Sequence, residues 1–207
     1  MKYPKLRELR EAFTALIKGP YTTKFPKEAA PAAPGYRGKP EFQPDYCVVC
    51  GACANVCPSK VIEIEEGLAP RGKRKMILRY DRCIFCGECE RNCLTEKGIH
   101  LTGKYDLAVL DRKLCVEEIE DDLIFCEHCQ APVTTRKHLN WLVEKLGPYV
   151  FSNPNLFMAS HRELELLEKT RPDRKEQPLE RSDFLKILCP KCRKQLTLKE
   201  EWGQQTQ

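Results

Sequence analysis

Eight of the thirteen cysteines fall into two copies of one spacing: Cys47, Cys50, Cys53 and Cys57 in CVVCGACANVC, and Cys83, Cys86, Cys89 and Cys93 in CIFCGECERNC. Each copy reads CxxCxxCxxxC, the run whose thiolates wrap a cubane [4Fe-4S] cluster, and Pro58 follows the first run as it does in the bacterial pattern. Two runs imply two clusters. Where two such runs share a chain, the fourth cysteine of each ligates the other cluster. Cys47, Cys50, Cys53 and Cys93 are therefore expected to hold cluster 1, and Cys83, Cys86, Cys89 and Cys57 cluster 2. The crossing pins the two halves together and brings the clusters close enough for electron hopping. The competing readings are clusters that only staple a small domain, and zinc. Zinc prefers paired CxxC knuckles separated by about a dozen residues or more, unlike four cysteines in one short run.

Such knuckles do occur further on. FCEHCQ and LCPKCR place Cys126 with Cys129 and Cys189 with Cys192, two pairs joined by a long helical insert. Two knuckles make a tetrahedral four-thiolate site, which suits one structural zinc or, with the same ligands, one mononuclear iron. His128 lies inside the first knuckle but is redundant beside four cysteines. Cys115 has no partner by spacing and is expected to be a buried apolar residue. His100, His138 and His161 share no spacing that suggests a joint role.

These ligands need elements to hold them. Between the cysteine runs the repeat reads as a short helix and strand (Val61, Ile62, Ile64), hairpin material (Met76, Ile77, Leu78), the second run, and a strand at Ile99 and Leu101. A core this small buries little apolar surface, so the apoprotein is expected to be largely unfolded there. DLAVL (106–110) reads as a strand and Glu117 to Asp122 as an acidic stretch. In the insert, Leu139, Leu142, Val143 and Leu146 share one face of a helix over 135–146, closed by Gly147 and Pro148. Ser160 with Glu163 reads as the capping box of a second helix running to Lys169. Ahead of the cysteines, residues 4–18 carry Leu6, Leu9, Phe13, Leu16 and Ile17 at helical spacing, either packed on the chain's own domain or docked on a partner or membrane surface. Residues 20–46 hold six of the fifteen prolines and read as an extended arm. The organisation expected is α+β: helix and arm over 1–44, a ferredoxin-like core with two clusters over 45–110, and a four-cysteine knuckle module with its helical insert over 111–207.

Composition narrows the functions. The net charge of +5 is mild, and the one basic cluster (Arg71, Lys73, Arg74, Lys75) lacks interleaved aromatics, so it reads as a solvated loop and nucleic acid is set aside. No run of apolar residues is long enough to span a bilayer, and the charged N-terminus is unlike a secretory signal. Thiols in a reducing compartment serve metals better than disulfides. There is no catalytic triad, phosphate loop or carboxylate pair, so the chain reads as an electron wire with no catalytic centre of its own.

The two runs, the helix and arm before them, and the words TTKFP (22–26) and YRGKPEF (36–42) resemble the ferredoxin-like subunit of respiratory complex I and its relatives in membrane-bound [NiFe]-hydrogenases. The knuckled tail is similar to that of the iron–sulfur subunit of formate hydrogenlyase. The resemblance implies a relay from a donor, either the iron–sulfur subunit of formate dehydrogenase or a soluble ferredoxin, to the hydrogenase small and large subunits and the [NiFe] site. It further implies contact with membrane-arm subunits and a peripheral place on the cytoplasmic side of the membrane, with no transmembrane helix. A complex I type subunit feeding a quinone site, or a free ferredoxin-type carrier or redox regulator, are the alternatives. Leu94 stands where the family's second run ends in proline.

Overall fold

The computed structural model describes residues 5–19, 22, 24–28, 30–69, 71–163, 179 and 181–202. The chain divides into two compact units, residues 1–36 and 37–207. In the first, α1 (Leu6–Lys18) follows the apolar spacing; the Lys5 N–H donates to the Glu8 carboxylate at its start (3.0 Å), and Gly19 in a left-handed conformation closes it. Leu6, Leu9, Phe13, Leu16 and Ile17 are all exposed. Pro4, where the helix was expected to begin, lies outside the described residues.

The second unit runs β1 (Pro40–Phe42), α2 (Ala52–Asn55), β2 (Ile62–Glu66), β3 (Lys73–Arg79), α3 (Glu88–Arg91), β4 (Ile99–Leu101), β5 (Val116–Phe125), β6 (Pro132–Thr135), α4 (Arg136–Leu146), α5 (Pro154–Glu163) and α6 (Pro190–Trp202). It is mixed α and β, with every strand pair antiparallel. One sheet has the order β2-β3-β5-β6, and β1 with β4 forms a separate two-stranded ribbon. The end of the proline-rich arm thus becomes a strand. Pro40 is its first residue, a position where a missing N–H is harmless. The main core gathers Phe42, Val61, Ile62, Met76, Leu78 and Ile99 around the buried Cys47 and Cys53, with the half-buried Cys57, Cys83, Cys89 and Cys93 packed against it. Each large side chain there is worth about 1.5–3 kcal/mol of apolar burial. No helix among the described residues is long and apolar enough to cross a membrane.

Three local expectations are corrected. DLAVL is not a strand, and Leu110 is fully exposed, because the edge of β3 is taken by the acidic stretch instead. That stretch is β5, and the basic cluster is largely the start of β3, not a loop. Their charges meet across the ladder in Lys73–Glu120 (2.6 Å) and Lys75–Glu118 (2.7 Å), while Arg74 pairs with Glu66 on the other side (2.5 Å). Opposite charges on adjacent strands make a polar sequence into a good strand pair. Finally, Ser160 lies inside α5, with its hydroxyl on the Phe157 carbonyl. The helix starts earlier because Asn153 Oδ1 accepts from the N–H groups of Asn155 (3.0 Å) and Leu156 (3.3 Å). The expected extension through Lys169 lies outside the described residues. The helix expected over 135–146 is present, capped by Thr135 and seated on Leu139, Leu142 and Val143, but Leu146, expected on the same face, is exposed at its end.

Candidate metal centres

Each cysteine run wraps a loop before a one-turn helix. The residue after the second cysteine is glycine because the chain there turns through a left-handed conformation, φ 84° at Gly51 and 81° at Gly87. A Cβ on Gly51 would also lie 2.9 Å from Ile64 Cδ1. Two residues after the first cysteine, Val49 and Phe85 also adopt positive φ, 51° and 53°, which non-glycine residues rarely do. The consequence is a backbone N–H aimed at sulfur: Val49 N–H onto Cys47, and Phe85 N–H onto Cys83 Sγ at 3.4 Å.

Two concavities receive these loops. The first is lined by Cys47, Cys50, Cys53 and Cys93, together with Leu94. The second is lined by Cys57, Cys83, Cys86 and Cys89. In each, three cysteines come from one run and the last from the other. The β1–β4 ribbon serves both, with Phe42 and Ile99 in the first and Pro40 and Leu101 in the second. Cys47 feels the charges of Cys50 and Cys93, and Cys83 those of Cys57 and Cys86.

The donor chemistry suits a highly charged metal group. Burial pushes the thiols up, Cys47 and Cys89 to about 11 and Cys53 to about 12, against the relief given by backbone N–H groups. Crowded neutral thiols of this kind become thiolates when iron sits among them, releasing their protons.

The two knuckles meet although sixty residues separate Cys129 from Cys189. The sulfurs of Cys126, Cys129, Cys189 and Cys192 all lie within 4.8 Å of one another, and His128 is not among them. The first knuckle turns between β5 and β6, and the second opens α6. They are tied by Glu127 N–H to the Ile187 carbonyl (2.9 Å) and by Ile187 N–H to the Glu127 carboxylate (3.0 Å). Asn155 of α5 grips the Leu188 peptide on both sides (2.9 and 3.1 Å), and Arg193 donates to its amide oxygen (2.8 Å). Burial raises the Cys189 thiol, but the Cys192 N–H and the neighbouring thiols outweigh it and pull it down to about 7, while Cys129 and Cys192 are pushed up. Four convergent sulfurs with one thiol held low form a donor set suited to a tetrahedral cation. Sequence reasoning missed Asn155 and Thr135, since nothing in their local sequence tells which distant carbonyl each will meet. Cys115 is buried, as expected of an apolar residue.

The 4Fe-4S dicluster domain family matches residues 46–97. Formate hydrogenlyase subunit 6 of Escherichia coli (strain K12) is 32% identical over 180 residues, covering 86% of this chain and 90% of that protein. The chloroplastic NAD(P)H-quinone oxidoreductase subunit I of Dioscorea elephantipes is 34% identical over 45% of this chain and 53% of that one. A chain from the membrane-bound sulfane sulfur reductase, an archaeal respiratory membrane complex, is 30% identical over 55% of this chain and 60% of its own, with a TM-score of 0.37. The chain therefore spans nine tenths of the hydrogenlyase subunit but only about half of the quinone oxidoreductase subunit.

Proposed function

The chain belongs to the family of ferredoxin-like iron–sulfur subunits that includes formate hydrogenlyase subunit 6, and on that premise we propose that it is the two-cluster relay of a membrane-bound hydrogenase complex. Cys47, Cys50, Cys53 and Cys93 hold one [4Fe-4S] cluster and Cys83, Cys86, Cys89 and Cys57 the other. Each bound cluster supplies a one-electron station. The chain's own residues cross-link the halves, exclude water with Phe42, Met76 and Ile99, and aim the Val49 and Phe85 N–H groups at sulfur. The observation that supports this reading best is the three-plus-one sharing of cysteines in both concavities.

In this reading electrons enter from a formate dehydrogenase iron–sulfur subunit or a ferredoxin and leave toward the hydrogenase small and large subunits and their [NiFe] site. The chain sits peripherally on the cytoplasmic side, with residues 1–44 docking on neighbouring subunits, 45–110 carrying the clusters and 111–207 forming the knuckle module. The exposed apolar face of α1 supports the docking role. The match along nine tenths of the hydrogenlyase subunit, against about half of the quinone oxidoreductase subunit, favours that branch over the quinone-feeding one. Cys126, Cys129, Cys189 and Cys192 bind one zinc, which cannot change oxidation state and so serves structure; a mononuclear iron is the alternative.

Iron and acid-labile sulfide of about eight each per chain are expected. A count near four ends the two-cluster reading, and purification of the native protein without hydrogenase subunits ends the assignment to that complex. Metal analysis decides the tail, because a ninth iron with a reversible potential would make it a third redox station.

A further inference from the structure

The two cluster loops are built alike but held differently. In the first, both carbonyls flanking the Val49 N–H are gripped from outside the loop. Thr135 Oγ donates to the Val48 carbonyl at 2.6 Å across eighty-seven residues of chain, and Arg74 Nη1 reaches the Val49 carbonyl at 3.4 Å. Thr135 is completely buried, and its hydroxyl also accepts the His138 N–H (3.3 Å) as the cap of α4. Two residues on, Lys137 places its ammonium on the Pro44 carbonyl (3.1 Å), and its charge is felt at Cys47. In the second loop, the carbonyl matching that of Val48 belongs to Ile84, and among the described residues no side chain donates to it; Ile84 itself is 62% exposed against 8% for Val48.

The Val48 carbonyl and the Val49 N–H are two ends of one planar peptide unit. A donor on the oxygen both fixes the plane and polarises the N–H that faces the Cys47 sulfur. Hydrogen bonds to cluster sulfur, and positive charge near it, favour the reduced and more negative state and so raise the potential.

We propose that Thr135, with Lys137 beside it, is a positioning residue of the knuckle module that raises the reduction potential of the cluster held by Cys47, Cys50, Cys53 and Cys93 and leaves the other cluster untouched. This rests on the two-cluster reading. It gives the tail a role in electron transfer without making it a redox station: the tail biases the relay by setting one of its two potentials.

The test is a redox titration followed by electron paramagnetic resonance on the full-length, cluster-loaded chain, comparing the unmodified protein with Thr135→Val and Thr135→Ser. Thr135→Val is expected to move the midpoint of the Cys47 cluster to a more negative value with the other midpoint unchanged, and Thr135→Ser, which keeps the hydroxyl, to restore it. If Thr135→Val does not retain iron, Lys137→Met replaces it at an exposed position, with a smaller shift expected in the same direction at the same cluster. Unmoved midpoints, equal movement of both, or a serine variant that behaves like valine overturns the proposal. A wild-type iron count below about eight sinks the two-cluster reading instead, so the two failures are distinguishable.

Discussion

The Cys47–Cys50 and Cys83–Cys86 loops carry the same spacing, a left-handed residue at the same position and a glycine after the second cysteine, yet one is roofed and the other open. Val48 and Val49 are buried beneath Thr135 and Arg74, whereas Ile84 faces solvent, and the arginines that reach the second loop, Arg37 and Arg91, both donate to the Cys86 carbonyl (3.1 and 3.2 Å). A repeat in sequence sets the ligand geometry twice; the elements appended to it decide how each copy is solvated. The cost of Val49 at φ 51° is of order 1–3 kcal/mol, and a β-branched residue persists there because the surroundings over-determine its backbone. Phe85 lacks that roof and leaves its loop accessible to a partner.

The crossing of the fourth cysteines is the strongest test of this pairing. Cys57→Ser should abolish or convert the cluster of Cys83, Cys86 and Cys89 while the cluster of its own run survives. Paramagnetic resonance on the single variants reads this directly. Loss of the Cys47, Cys50 and Cys53 signal would reverse the assignment and with it the comparison of the loops.

Opening the tail comes next. If Cys126, Cys129, Cys189 and Cys192 hold one metal as proposed, Cys189→Ser removes one of four ligands and should release it, and such sites contribute many kcal/mol to folding, about 10–16 in zinc-finger peptides. Because β6 runs from the first knuckle straight into Thr135, the Cys47 loop should loosen while the Cys83 loop does not. Hydrogen exchange at the Val49 and Phe85 amides measures the difference. Equal protection loss at both would mean that the tail acts on the domain as a whole.

How much of this the chain announced follows from the range of each interaction. Cysteine spacing is local covalent information, so both runs and both knuckles were legible, as was the α4 face of Leu139, Leu142 and Val143. The strand hidden in VEEIEDDLIF was not. It lacks alternation and is stabilised by the basic residues of β3, a partner that periodicity cannot see. The DLAVL misreading is its mirror image, since an apolar segment becomes a strand only where an edge is free. The Thr135 contact with Val48 depends on the whole course of the chain between them.

A smaller effect separates the roofed position from the open one. Val48→Ala deletes buried apolar groups worth about 0.8 kcal/mol per methylene-sized unit, so a loss of about 1.5 kcal/mol is expected. Ile84→Ala at the matching position should stay within about 0.5 kcal/mol, as exposed substitutions usually do. Thermal unfolding of the loaded protein compares them. A larger cost at Ile84 would show that the open loop is covered by something within the chain.

The smallest expected effect comes from an element the two loops share, and it should not discriminate between them. Glu41 on the β1–β4 ribbon bonds Lys104 (2.7 Å) and Lys39 (3.4 Å), and Lys39 also pairs with Glu117 (2.7 Å), whose other oxygen accepts the Phe42 N–H (2.8 Å). Burial would raise the Glu41 carboxyl, but Lys104 and then Lys39 outweigh it and hold the carboxyl below its ordinary 4.5. A carboxylate depressed in the folded state stabilises at pH values above its unfolded pKa, and that stabilisation disappears as pH falls through the folded value. The ribbon should therefore weaken below about pH 4.5, and Glu41→Gln should remove that increment of acid sensitivity while lowering stability at neutral pH. Since Phe42 and Ile99 line one concavity and Pro40 and Leu101 the other, acid should speed iron release from both clusters in the same proportion. Cluster-resolved bleaching in Glu41→Gln against wild type provides the measurement, over a range from about pH 3 to about pH 6 that spans the ordinary carboxylate value. Selective loss from one cluster would show that the ribbon, and not the tail alone, distinguishes the two loops.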